Sequence, residues 1–172
     1  PIFDDQPTQN IGAVAIQQSK PEVIWVGTGE GNPRNSMNLG AGIFKSIDGG
    51  TSWKFMGLKA TKTIHRIIID PNDHNTVYVG AMGDPFTENE HRGLYKTIDG
   101  GESWTKILFS NTSSGIADLV IDKSNPKKIF AALYEHHRTP YSFVSGGKGS
   151  GLYISEDSGE SWNIIGPEQG FP

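Results

Sequence analysis

The sequence predicts an all-β fold: three consecutive units of four antiparallel strands, arranged as blades of an incomplete β-propeller. Three observations lead there. An octapeptide returns three times, as Ser-Ile-Asp-Gly-Gly-Thr-Ser-Trp at 46–53, Thr-Ile-Asp-Gly-Gly-Glu-Ser-Trp at 97–104 and Ser-Glu-Asp-Ser-Gly-Glu-Ser-Trp at 155–162. Short β-branched and aromatic runs bounded by Gly, Pro, Asn and Asp recur around it, which is the pattern of strands separated by turns, and no window carries a helical period. The register also holds outside the octapeptide, because Ile16, Ile69 and Ile121 fall at matching places, as do Trp25, Tyr78 and Phe130. A repeat of roughly 40–50 residues carrying four strands is a propeller blade.

In chain order, the first unit (residues 1–58) places strands at 11–16, 23–27, 42–46 and 53–56. The second (59–110) places them at 64–70, 76–81, 93–97 and 104–108, and the third (111–172) at 116–122, 128–133, 151–155 and 162–165. First and second strands are joined by short Asx and Pro turns such as Asp70-Pro71-Asn72-Asp73. The octapeptide joins third to fourth. Its Asp can accept hydrogen bonds from the turn's own backbone amides, and the Gly two residues later allows a left-handed backbone without a Cβ penalty. The Trp is a large apolar plate with one N–H to satisfy, suited to packing one unit on the next.

All three octapeptides match the Asp-box, or BNR, pattern S/T-x-D-x-G-x-x-W. They resemble the turns of sialidases, of xyloglucan-cleaving hydrolases, and of sortilin-type (VPS10) propellers and their bacterial relatives. Ser stands before the Trp each time, where the family often has Thr. The resemblance makes Asp48, Gly50, Trp53, Asp99, Gly101, Trp104, Asp157, Gly159 and Trp162 structural residues. Residues 26–36, 80–85 and the second octapeptide extend the likeness over most of the chain, to large bacterial sortilin-like proteins often labelled glycosyl hydrolases. It implies export to the periplasm, cell surface or medium of a bacterium.

Composition narrows the function classes. With 172 residues, 35% hydrophobic and 20% charged, the chain has the make-up of a globular domain rather than a disordered one. A net charge of −4 and no basic cluster beyond Lys127-Lys128 argue against nucleic acid or an anionic membrane as partner. There is no cysteine for a disulfide framework, no apolar run of membrane-spanning length and no signal-peptide pattern at the start. No cofactor motif is present: the Gly-rich segment 28–36 precedes no helix and fits neither phosphate-binding fingerprint.

Propellers typically close with about 4–8 blades, and three are present here. The remaining blades are therefore expected from a longer chain, or from further copies of this one. An open arc would expose apolar blade faces.

In such a blade the loops from second to third strand emerge on the ligand face and the Asp-box turns on the opposite one. Those loops are residues 28–41, 82–92 and 134–150, the longest connections in the chain. They supply the ligand-binding candidates Glu30, Arg34, Asp84, Arg92, Glu135, His136 and Arg138, with Glu88, Glu90, His91 and His137 beside them. The three arginines could converge on a carboxylate ligand, as the sialidase cluster does; the plainer expectation is local pairing with Glu30, Glu90 and Glu135. The adjacent His136 and His137 point to opposite sides of an extended chain, so no metal site is expected. The favoured function is a sortilin-like binding module for a protein, peptide or glycan. The alternative is part of a secreted glycoside hydrolase acting on a polysaccharide, which needs two carboxyl groups about 5–9.5 Å apart.

Overall fold

The structure is a computed structural model describing residues 2–32, 34 and 36–166. Its strands form three antiparallel sheets in chain order. The first sheet holds β1 (Ile11–Ile16), β2 (Ile24–Thr28), β3 (Ile43–Ser46) and β4 (Lys54–Phe55), and the second β5 (Ile64–Ile69), β6 (Val77–Ala81), β7 (Gly93–Thr97) and β8 (Thr105–Leu108). The third holds β9 (Ser114–Ile121), β10 (Ile129–Arg138), β11 (Phe143–Ser145), β12 (Gly151–Ser155) and β13 (Asn163–Ile165). The first two sheets run from strand to neighbouring strand, while in the third β10 pairs with β9, β11 and β12; the first strands β1, β5 and β9 lie side by side. No α-helix forms among the described residues; one 3-10 turn, Lys59–Thr61, links the first two sheets.

Burial follows the two-residue strand period. In β6 every residue is buried, because both faces are covered. Val77 and Val79 enter a core shared with Trp25, Ile43 and Met56 of the first sheet, while Tyr78 enters one shared with Ile116, Leu119, Ile129 and Leu133 of the third. The second sheet is thus sandwiched, and each outer sheet keeps one face away from it. On the first sheet, residues 2 and 3 cover part of that face: Phe3 meets Phe44 and Trp53 edge-on, and the Trp53 indole donates to the Ile2 carbonyl at 2.6 Å. On the third, Val120 and Ile164 remain 55% and 56% exposed.

The three octapeptides adopt one hydrogen-bonded turn. In the second, the Thr97 hydroxyl donates to Asp99 at 2.6 Å and accepts the Gly101 amide at 2.9 Å. The other end of the turn is tied by Ser103, whose amide and hydroxyl donate to the two Asp99 oxygens at 3.0 and 2.5 Å. Ser46, Asp48, Gly50 and Ser52 repeat this set, as do Ser155, Asp157, Gly159 and Ser161. Ser before the Trp is therefore a working donor in each turn. These bonds hold all three carboxyls below the usual carboxylate range, Asp48 and Asp157 down to about 2. Gly101, at φ +99°, presses on the preceding sheet, where a Cβ would stand 2.7 Å from the Trp25 ring. Trp104 meets that ring edge-on at 6.2 Å and donates to the Met56 carbonyl at 2.7 Å.

One expected loop is partly strand. Residues 134–150 do not leave the sheet at Leu133: β10 continues to Arg138, turns at 139–142 and returns as β11. The cause is local. Thr139 and Ser142 close the turn through their backbone and hydroxyl groups, and His136 is fully buried although it falls out of step with the buried Ile129, Ala131 and Leu133.

Candidate functional site

The connections from second to third strand all leave the same end of the sheets, and the first strands reach that end with a shared irregularity. Each carries a β-bulge there. Register slips between Ile11 and Ala13 in β1 and between Ile64 and Arg66 in β5, and β9 skips Ala117 between its partners Ile116 and Asp118. The bulged residues are Gly12, His65 and Ala117, and all three line one cleft of about 400 Å³ with Gly31, Asn32 and Tyr134. A bulge re-aims a side chain out of the ladder; here only His65 has one of any size.

His65 is 9% exposed, and both its ring nitrogens are closed off from solvent. Burial and the neighbouring Arg66 charge lower its pKa, against the weaker pull of the Ala117 backbone and Asp118. The imidazole is therefore neutral near pH 7, with one nitrogen a donor and the other an acceptor. Arg66 itself is paired with Asp118 at 2.7 Å across the sheet boundary.

A second cleft, of about 280 Å³, lies between the second and third sheets and is lined by Glu88, Ser113, Glu135, His136, His137 and Val144. Two carboxylates from adjacent sheets thus face one space. Glu88 accepts from the Thr112 hydroxyl at 3.1 Å. Glu135 accepts the Gly149 amide at 2.9 Å and the Asn111 side chain at 3.4 Å, which ties residue 149 back to β10.

The remaining candidates fall into separate local arrangements. Glu30 makes an ion pair with Arg34 and accepts the Asn38 amide at 3.1 Å, bracing the first loop. Asp84 accepts the Phe86 amide at 2.9 Å in a tight turn. Arg92 is fully buried, and its guanidinium donates to the carbonyls of Met82 at 3.0 Å, Asp84 at 2.6 Å and Thr87 at 3.2 Å. It clamps the second loop from beneath, instead of pairing with Glu90, and burial lowers its pKa to about 10. His136 sits beside it, Nδ1 3.3 Å from Arg92 Nη1, with its ring stacked on Tyr134 at 5.8 Å. Burial and the Arg92 charge push His136 down to about 4. Arg138 lies over the Phe143 ring at 5.4 Å, and its amide donates to the Pro85 carbonyl at 2.8 Å, tying the third loop to the second. A three-arginine cluster is not what these contacts build, since Arg34 pairs within its own loop and Arg92 lies below the surface. No group of three or more His, Cys, Asp or Glu with metal-binding geometry occurs among the described residues.

Comparison with known proteins places this architecture. The Sortilin-Vps10 family model, described as "Sortilin, neurotensin receptor 3", matches residues 41–169. An oligoxyloglucan-reducing end-specific xyloglucanase of Emericella nidulans is 32% identical over 171 residues, covering 90% of this chain and 19% of the relative. A probable enzyme of the same description from Neosartorya fischeri is 34% identical over 99 residues, 55% of this chain and 10% of the relative. The chain therefore spans a fifth or less of the curated relatives it matches. Among solved structures, the GH74 xyloglucanase of Xanthomonas campestris superposes with a TM-score of 0.63 at 21% identity, over 98% of this chain and 25% of that one. An ancestral GH74 enzyme gives 0.65 at 18% identity, over 91% and 18%, and YCF48 of Cyanidioschyzon merolae gives 0.53 at 16%, over 93% and 38%. These likenesses establish the fold alone. On the family match over most of its length, the chain belongs to the Sortilin-Vps10 family of Asp-box-repeat proteins.

Proposed function

We propose that the three sheets are consecutive blades, with boundaries near 1–58, 59–110 and 111–172, of a larger β-propeller that binds a xyloglucan-type polysaccharide and takes part in its hydrolysis. The observation that carries this is the 32% identity to a xyloglucanase over 171 residues, which spans all three sheets and every long loop rather than the repeated turns alone. It favours the hydrolase over the protein- or peptide-binding module first expected from the sequence. The exposed Val120 and Ile164 on the third sheet suit a following blade. A polymeric substrate also requires the protein to work outside the cytoplasm.

Within this chain, Glu88 and Glu135 are the carboxylates facing one cleft, and general acid–base catalysis by such a pair contributes about 10²–10⁴-fold per group. The test uses the full-length protein containing these residues and xyloglucan oligosaccharides. Sugar release, cut about 100-fold or more by Glu88→Gln or Glu135→Gln, supports the reading. Binding without any cleavage would return it to a glycan-binding module, which the engagement of Glu135 by the Gly149 amide and of Glu30 by Arg34 favours. Absence of both binding and cleavage would refute the xyloglucan assignment.

A further inference from the structure

We infer that the Asp-box end of the sheets is a docking surface for an acidic segment of a partner protein, one that sets large apolar side chains beside carboxylates. This end is opposite the loops 28–41, 82–92 and 134–150, and the inference stands apart from the polysaccharide reading.

The surface is built around residues 70–76, which join β5 to β6 and form a ridge with a cleft on each of three sides. A cleft of about 470 Å³ toward the third sheet holds Ile98 and Lys127. One of about 500 Å³ toward the first sheet holds Ile47 and Lys20. The last, of about 280 Å³, lies beside the ends of β1 and β9 and holds Ile16 and Lys123. Asp73 lines the first two clefts and His74 the last two, so the three adjoin.

The apolar groups are not explained by the fold. Ile47 and Ile98 are 65% and 69% exposed, and Ile16 is 45% exposed. Ile47 and Ile98 hold the second place of their octapeptides, where the third copy has Glu156, so the turn itself has no need of an apolar residue there. Both isoleucines flank clefts between sheets that already pack on each other, through Trp25 and Trp104 on one side and Tyr78 on the other. A further blade would therefore leave them uncovered. Large apolar side chains gathered at one exposed place mark an interaction site.

The charges select the partner. Five lysines line the three clefts, Lys20, Lys45, Lys96, Lys123 and Lys127, against two aspartates, Asp70 and Asp73. The surface is thus locally positive in a chain whose net charge is −4. Lys45 and Lys96 are committed to the next turn, donating to the carbonyls of Gly100 at 3.1 Å and Ser158 at 2.9 Å. Asp70 and Asp73 are occupied by the amides of residues 72, 73 and 75 and by the Thr76 hydroxyl. Lys20, Lys123 and Lys127, one to each cleft, are exposed and form no ion pair among the described residues. Each cleft therefore offers one isoleucine and one free cation. A protein segment carrying carboxylates next to Leu, Ile or Phe meets both, whereas a phosphate polymer would leave the isoleucines in water.

The test is binding of a set of labelled peptides to the full-length protein by fluorescence anisotropy. Each peptide mixes Asp or Glu with Leu, Ile or Phe, and each has a counterpart with Asn or Gln in place of the acids. The acidic set should bind about 10-fold or more tightly than its counterparts, and less tightly as salt is raised. Ile47→Glu with Ile98→Glu copies the residue of the third octapeptide, so the turns are kept. That double variant, and separately Lys20→Glu with Lys123→Glu and Lys127→Glu, should each weaken binding about 10-fold or more at an unchanged unfolding temperature. No preference for the acidic set, or binding that both variants retain, overturns the inference. A concentration-dependent dimer that Ile98→Glu dissolves would give the surface to a second copy of the chain and overturn it too. Either failure leaves the polysaccharide reading standing, since the loops at the other end are untouched.

Discussion

Acidification should destabilise this protein in a window set by its buried histidines rather than by its carboxylates. His136 is fully buried against Arg92, and its folded-state pKa lies at about 4. In the unfolded chain it returns to about 6.5. Because the folded value is the lower one, the folded state binds fewer protons throughout this interval. The stability belonging to neutral His136 is therefore complete above pH 6.5, falls as the pH drops, and changes no further below about 4. A difference of about 2.5 pKa units is about 3 kcal/mol in total, of which about 2.5 kcal/mol is gone by pH 4.5. His65 adds to the loss in the same direction, since burial and the Arg66 charge depress it too. The Asp-box carboxyls do not contribute here: Asp48 and Asp157, with folded values of about 2, begin to lose stability only as the pH falls below the unfolded carboxylate value. Urea unfolding at pH 7 and pH 4.5 measures the difference, and His136→Gln isolates the residue. The variant should be less stable at pH 7 yet lose about 2.5 kcal/mol less than the wild type on acidification. An equal acid loss in both proteins would refute the assignment of that window to His136.

Three further outcomes are expected. Trp104→Ala should cost about 3–5 kcal/mol in urea unfolding, because the indole packs on Trp25 and bonds the Met56 carbonyl across the sheet boundary; a loss below about 1 kcal/mol would mean the boundary is not packed through it. Gly101→Ala should cost about 1–3 kcal/mol or more, since the new methyl meets the Trp25 ring and φ is +99°; an unchanged urea midpoint would contradict the close approach. Arg92→Met should leave the Met82, Asp84 and Thr87 carbonyls without their donor, and limited proteolysis should then cut within residues 82–92 faster than in the wild type.

What the sequence made legible was whatever repeats. The octapeptide announces its own turn because Ser or Thr, Asp and Gly each have a local hydrogen-bonding or backbone role, and strand alternation announces which of Val77, Tyr78 and Val79 faces which neighbour. The extension of β10 to Arg138 was hidden because Tyr134, Glu135, His136 and His137 are read as polar loop until His136 is seen to be buried. The candidate arginines illustrate a different limit. Arg92 carries the same letter as Arg34, yet one lies beneath a loop and the other on its surface, a distinction made by long-range packing. His65 was missed altogether, although a signal existed: superposing the three repeats sets it against Gly12 and Ala117, and a bulky polar residue where two repeats keep small ones marks a departure from architecture.

The most direct test of the account is a structure of the full-length protein with a bound xyloglucan oligosaccharide. The three sheets are expected to stand as adjacent blades of a closed ring, with the third sheet's exposed face covered by a further blade. The sugar is expected across the loops 28–41, 82–92 and 134–150. A sugar bound at the Asp-box turns, or a structure in which these sheets close no ring, would contradict it.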